Sequence, residues 1–105
     1  MERRFGLSET DIGKICAVFA AHPEIERTVL YGSRAKGNFT VGSDIDLTLQ
    51  GGPDLTQDVL FAVIQALDDL LLPYTIDLSL FDTLRDPDFL EHIGRVGVVV
   101  YQRGR

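Results

Sequence analysis

Apolar positions along this chain alternate between a helical repeat and a two-residue repeat, and the switches mark its elements. From Ser8 onward, Ile12, Ile15, Cys16 and Phe19 recur at three- and four-residue steps, one stripe of a helix. Ser8 is its predicted N-cap, Glu9 and Asp11 fill the first turn, and Leu7 is placed to staple onto Ile12. Pro23 stops the helix, because a residue before proline avoids the α region. Residues 26–31 are rich in β-formers and end at Gly32, and 44–50 alternates until Gly51-Gly52-Pro53. Asp54 is the predicted cap of a long helix through 72, with Leu55, Val59, Val63, Ala66, Leu67 and Leu70 buried, and Pro73 ends it. A third strand covers 74–81. Asp86-Pro87 opens a short helix carrying Phe89, Leu90 and Ile93, and 98–101 is a final strand. The order αββαβαβ predicts an α+β fold (an α/β sandwich), helices packed on a small mixed β-sheet.

The strand pattern also sorts polar groups. Side chains alternate between faces, so Asp44, Asp46, Thr48 and Gln50 share one face while Ile45, Leu47 and Leu49 point into the core. The third strand repeats this, with Asp77 between Ile76 and Leu78. If the two strands are neighbours, three carboxylates gather on one patch, with no basic residue in either strand to neutralise them. Such groups raise one another's pKa unless a cation intervenes, and oxygen-only ligands favour Mg²⁺. Positions i and i+2 on a strand are about 6.6 Å apart, so their carboxylates can bracket metals roughly 3.5–4 Å apart. An isolated Asp-x-Asp is more often the solvated face of an edge strand; the third aspartate and the preceding turn tip the balance.

That turn is Gly32-Ser33-Arg34-Ala35-Lys36-Gly37, where 33–36 has room for one helical turn. Gly32 allows close backbone approach, Ser33 offers a hydroxyl, and Arg34 and Lys36 are candidates to hold a triphosphate tail.

Composition narrows the setting. The 105 residues are one predicted domain, 1–105, with 45% hydrophobic and 25% charged content, ordinary for a globular fold. A net charge of −6 argues against a free-standing nucleic-acid binder, and makes divalent cations the natural bridge to a triphosphate. Cys16 is alone, which excludes an internal disulfide, and reads as a small buried hydrophobe. No apolar run reaches the roughly 18 residues of a membrane span, and no signal-peptide core follows Met1-Glu2-Arg3-Arg4, so the expected location is the cytoplasm. His92 lies beside Glu91 without a second histidine or cysteine to complete a metal site, and is assigned a surface or half-buried structural role. The tail Arg103-Gly104-Arg105 is expected to fray.

Gly32-Ser33, ten residues, Asp44-Ile45-Asp46-Leu47 and later Ile76-Asp77-Leu78 together resemble the DNA polymerase β-like nucleotidyltransferase superfamily. The tighter Gly-Ser-Arg-Ala-Lys-Gly followed by Gly-Ser-Asp-Ile-Asp-Leu is similar to its minimal prokaryotic branch, the MNT nucleotidyltransferases; the match spans residues 29–81. The resemblance implies that Asp44 and Asp46 bind two Mg²⁺ ions, that Asp77 joins them at the ion activating an acceptor hydroxyl, and that Gly32 and Ser33 hold the β- and γ-phosphates of ATP or another NTP. Arg34 and Lys36 carry over more weakly. The implied reaction transfers a nucleotidyl group, AMP from ATP, and releases pyrophosphate. It further implies a separate all-helical partner of the HEPN or substrate-binding type, in some such pairs a toxin that the nucleotidyltransferase adenylylates as antitoxin. Phe39, Phe61 and Tyr101 are candidates for an interface, core packing being the reading for at least two. Two alternatives stand beside this one: a non-catalytic module that neutralises its partner, and a nucleotidyltransferase acting on a free small molecule of aminoglycoside type.

Overall fold

The computed structural model describes residues 3–104; Met1, Glu2 and Arg105 lie outside them. The chain opens on a two-residue hairpin, β1 (Arg3–Arg4) and β2 (Leu7–Ser8), which the sequence reading did not anticipate. Its turn uses positive φ at Phe5 and Gly6, the backbone twist that suits a two-residue hairpin, but Phe-Gly lacks the usual Asn-Gly or Asp-Gly signature. Helix α1 (Glu9–Ala20) follows, and the Ser8 side chain accepts from the Asp11 N–H as expected of the cap. Strand β3 (Ile25–Tyr31) runs into a single helical turn, α2 (Gly32–Lys36), and a loop leads to β4 (Ile45–Gly51).

Helix α3 (Gln57–Asp68) is shorter than the predicted 54–72 at both ends. Thr56, not Asp54, caps it by accepting from the Val59 N–H. At the other end the chain unwinds through Leu71, whose φ of +56° is left-handed, so the apolar run 70–72 continues past the helix. Strand β5 (Ile76–Leu80), a 3₁₀ turn (Phe81–Thr83), helix α4 (Pro87–Val96) capped by Asp86, and strand β6 (Val98–Gln102) complete the order.

The four-stranded sheet has the order β5-β4-β3-β6. β3 pairs antiparallel with both β4 and β6, while β4 pairs parallel with β5 through the α3 crossover. One face of the sheet (Ile25, Leu30, Ile45, Leu47, Leu49 and Leu80) packs under α1 and α3, which contribute Ile15, Phe19, Leu60, Val63 and Leu67. The opposite face is covered over β3, where Val29 and Tyr31 meet Ile93 of α4, with Phe81, Leu84, Phe89 and Val96 around them. The Cys16 thiol is half-buried and donates to the Val100 carbonyl at 3.4 Å. Burial pushes its pKa up, so it fits the expected small hydrophobe.

The tail does not fray at Arg103. Its backbone N–H donates to the Glu26 carbonyl at 2.8 Å, and its guanidinium donates to carbonyls of Ile25, His22 and Ala20 at the end of α1. A cation suits the carbonyl end of a helix.

Candidate active site

Register settles whether the aspartates meet. Tyr31 on β3 pairs with Asp46 on β4, and Asp46 pairs with Asp77 on β5, so a Tyr-Asp-Asp row crosses three strands on the α4 side of the sheet. The next row along is Val29, Thr48 and Ser79. Thr48 is fully buried there and is tied to β5: the Ser79 hydroxyl donates to Thr48 Oγ1 at 3.0 Å, and the Thr48 hydroxyl donates to the Ser79 carbonyl at 3.4 Å. These bonds lock β4 against β5 one row from the carboxylates. Asp44 lies just before β4 rather than within it, exposed at the junction of loop and strand, and Asp77 is exposed as well.

The carboxylates sense one another. Asp46 is held above the ordinary aspartate range by burial first, then by Asp77 and Asp44, while His92 pulls it back. Burial and Asp77 likewise lift the Tyr31 phenol, with Asp46 adding to the rise and a hydrogen bond with Ser79 opposing it. Among the described residues no three histidine, cysteine or acidic side chains are placed to hold a single ion. The donor chemistry, three aspartates offering oxygen ligands only, fits a hard divalent cation.

The glycine turn lies against this cluster. Gly32 has φ +77°, and a Cβ there would collide with the Asp46 carboxylate, so only glycine lets the backbone approach so closely. Its N–H donates to Nε2 of His92 at 3.2 Å. Ser33, the second residue of α2, is half-buried, and Lys36 is exposed at the end of that turn.

Arg34 takes a different place from the one its sequence position suggests. It is 2% exposed, and its guanidinium donates to the carbonyls of Phe5 (2.8 Å), Val41 (3.2 Å) and Ser43 (3.1 Å from Nε, 2.9 Å from Nη2). It also lies over the rings of Phe39 and Tyr74, 5.3 and 5.5 Å from their centres. The charge expected on the triphosphate tail is spent instead on fastening the loop that delivers Asp44 to the N-terminal hairpin. Lys36 is the cation of the turn that solvent reaches.

His92 is the site residue that sequence reasoning passed over. It is half-buried, as expected, and lies against the glycine turn of the site. Phe89, His92, Ile93 and Val96 recur at helical spacing and seat α4 on Tyr31, whose ring lies edge-on to Phe89 at 5.2 Å and to His92 at 6.3 Å. That spacing is a signal that could have placed His92 on the face of α4 toward Tyr31; its partner, 60 residues away, left none.

A sequence model of the family described as Polymerase beta, Nucleotidyltransferase matches residues 13–105. No curated protein matches the chain significantly in sequence. Among solved structures, the chain is similar to one in a crystal structure of a toxin–antitoxin with AMP-PNP, at 21% identity and a TM-score of 0.68, covering 92% of this chain and 75% of that one. It is also similar to a chain of a tri-AMPylated Shewanella oneidensis HEPN toxin in complex with MNT antitoxin (17% identity, TM-score 0.65, 90% and 72% covered). A third likeness is to a toxin–antitoxin MntA-HepT crystal structure (16% identity, TM-score 0.65, 91% and 74% covered). At these identities the likeness establishes the shared fold.

Proposed function

Because the chain belongs to the polymerase beta nucleotidyltransferase family, we propose that it is an Mg²⁺-dependent enzyme of the minimal branch that transfers AMP from ATP to an acceptor hydroxyl and releases pyrophosphate. The observation that carries this reading is the Asp46–Asp77 pairing across β4 and β5, with Gly32 lying against Asp46. Asp44 and Asp46 would hold two ions, and Asp77 would join them at the one beside the acceptor. When bound, the ions offset charge on the departing pyrophosphate and favour the deprotonated acceptor hydroxyl. The Gly32–Ser33 turn would meet the β- and γ-phosphates, Gly32 by letting the backbone come close and Ser33 by its hydroxyl. Lys36 supplies the side-chain cation for the triphosphate, since Arg34 is committed elsewhere. The Thr48–Ser79 hydrogen bonds hold the two aspartate-bearing strands in register, so the carboxylates stay placed while charge moves past them.

We place the acceptor hydroxyl on a separate helical protein of HEPN type, with this chain as its antitoxin. Support comes from the similar chains, which occur in toxin–antitoxin structures, one with AMP-PNP and one with a tri-AMPylated HEPN toxin. Among the described residues no helix is long and apolar enough to cross a membrane, and use of ATP fits work in the cytoplasm.

Asp77→Asn separates chemistry from folding, because Asp77 is an exposed side chain on an edge strand. Transfer of label from α-labelled ATP to the helical partner should fall by about a hundredfold or more in that variant, with the melting temperature retained. Equal labelling by wild type and Asp77→Asn would remove Asp77 from the reaction. No labelling by wild type with any of the four NTPs would count against the transferase reading itself.

A further inference from the structure

Gly32 holds a backbone conformation that needs outside support. Glycine has the widest conformational freedom of any residue, and its left-handed φ of +77° is one choice among many. Tyr31, which precedes α2, makes no side-chain capping bond to the turn. What holds the Gly32 amide is an imidazole from a distant helix: His92 Nε2 accepts its N–H at 3.2 Å. The ring is itself fixed, because α4 is anchored by buried Ile93 and by Phe89, which meets Tyr31 edge-on.

We propose that His92 is a positioning residue of the nucleotide site. By taking the Gly32 N–H, it holds the Gly32–Ser33 turn in the shape the phosphates meet. His92 touches neither the reacting atoms nor the phosphates; it acts through Gly32. This assignment rests on the proposed nucleotidyl transfer for its kinetic consequence, though the contact itself does not.

Two substitutions separate the acceptor from the ring. His92→Phe keeps a flat ring against Tyr31 and removes the acceptor. His92→Gln gives up the ring and keeps an acceptor near the position of Nε2. In the full chain without nucleotide, solvent exchange of the Gly32 amide, followed by NMR, should quicken about fivefold to tenfold in His92→Phe and return toward wild type in His92→Gln. With the helical partner, KM for ATP should rise about fivefold to tenfold in His92→Phe with kcat within about twofold, and His92→Gln should recover most of the loss. A purely structural role would instead lower the melting temperature of both variants and give no rescue pattern, which overturns the assignment. An unchanged Gly32 amide in His92→Phe, or a fall in kcat at constant KM, would overturn it too. If the wild-type chain transfers no nucleotide, the proposed function fails while the Gly32 amide still decides the role of His92.

Discussion

Arg34 donates to the carbonyls of Phe5, Val41 and Ser43 from a nearly fully buried position, so its contribution is architectural. Arg34→Ala strips three carbonyls of a charged donor where water has little access. We expect about 2–4 kcal/mol of lost stability in urea unfolding, and Arg34→Lys should recover little, since an ammonium cannot reproduce the planar fork or the stacking on Phe39 and Tyr74. Asp46 works in the opposite sense. Its folded pKa is raised, chiefly by burial and then by Asp77 and Asp44, so the fold favours the neutral carboxyl. That contribution to stability is whole below the ordinary value of 3.8 and is lost as the pH rises through the folded value. In chelator, thermal melts should therefore show stability falling over that window. Asp46→Asn should flatten the fall, and Mg²⁺ should restore stability on its alkaline side. A chain that becomes more stable across the same window would contradict the upward shift of Asp46.

At the level of elements, alternation and capping made most of the fold legible. Asp46 and Asp77 each sit between apolar neighbours, which predicted both strands and the face they share; the parallel register then paired them. Ser8 and Asp86 cap the helices their local sequences announce. The end of α3 was hidden because Leu70, Leu71 and Leu72 prolong an apolar pattern that the backbone abandons. Leu71 sits at φ +56° and 87% exposure, so it gains little from packing while holding a conformation costly for a branched side chain. Leu71→Gly or Leu71→Asn should stabilise the chain by about 0.5–1 kcal/mol. A destabilisation by both would mean that the Leu71 side chain is held by contacts in solution.

Across the whole molecule, the unreadable parts share one cause, namely dependence on contacts far apart in sequence. Arg34 looked like a phosphate ligand because its burial is created by Phe5 on one side and the 39–43 loop on the other. His92 looked incidental because its partner is a backbone amide in a turn 60 residues earlier. The aspartates were legible because strand periodicity carries them locally, and the family's motif spacing carries the rest. The net charge of −6 and the three carboxylates at one end of the sheet make cations the natural bridge to the proposed triphosphate. The central claim is that bond cleavage falls between the α- and β-phosphates of ATP. Parallel incubations of the chain and the proposed helical partner with α-labelled and γ-labelled ATP, in Mg²⁺, test this most directly. We predict label on the partner from α-labelled ATP alone, with the γ label recovered as pyrophosphate. Label retained on protein from γ-labelled ATP, or from neither, would contradict it.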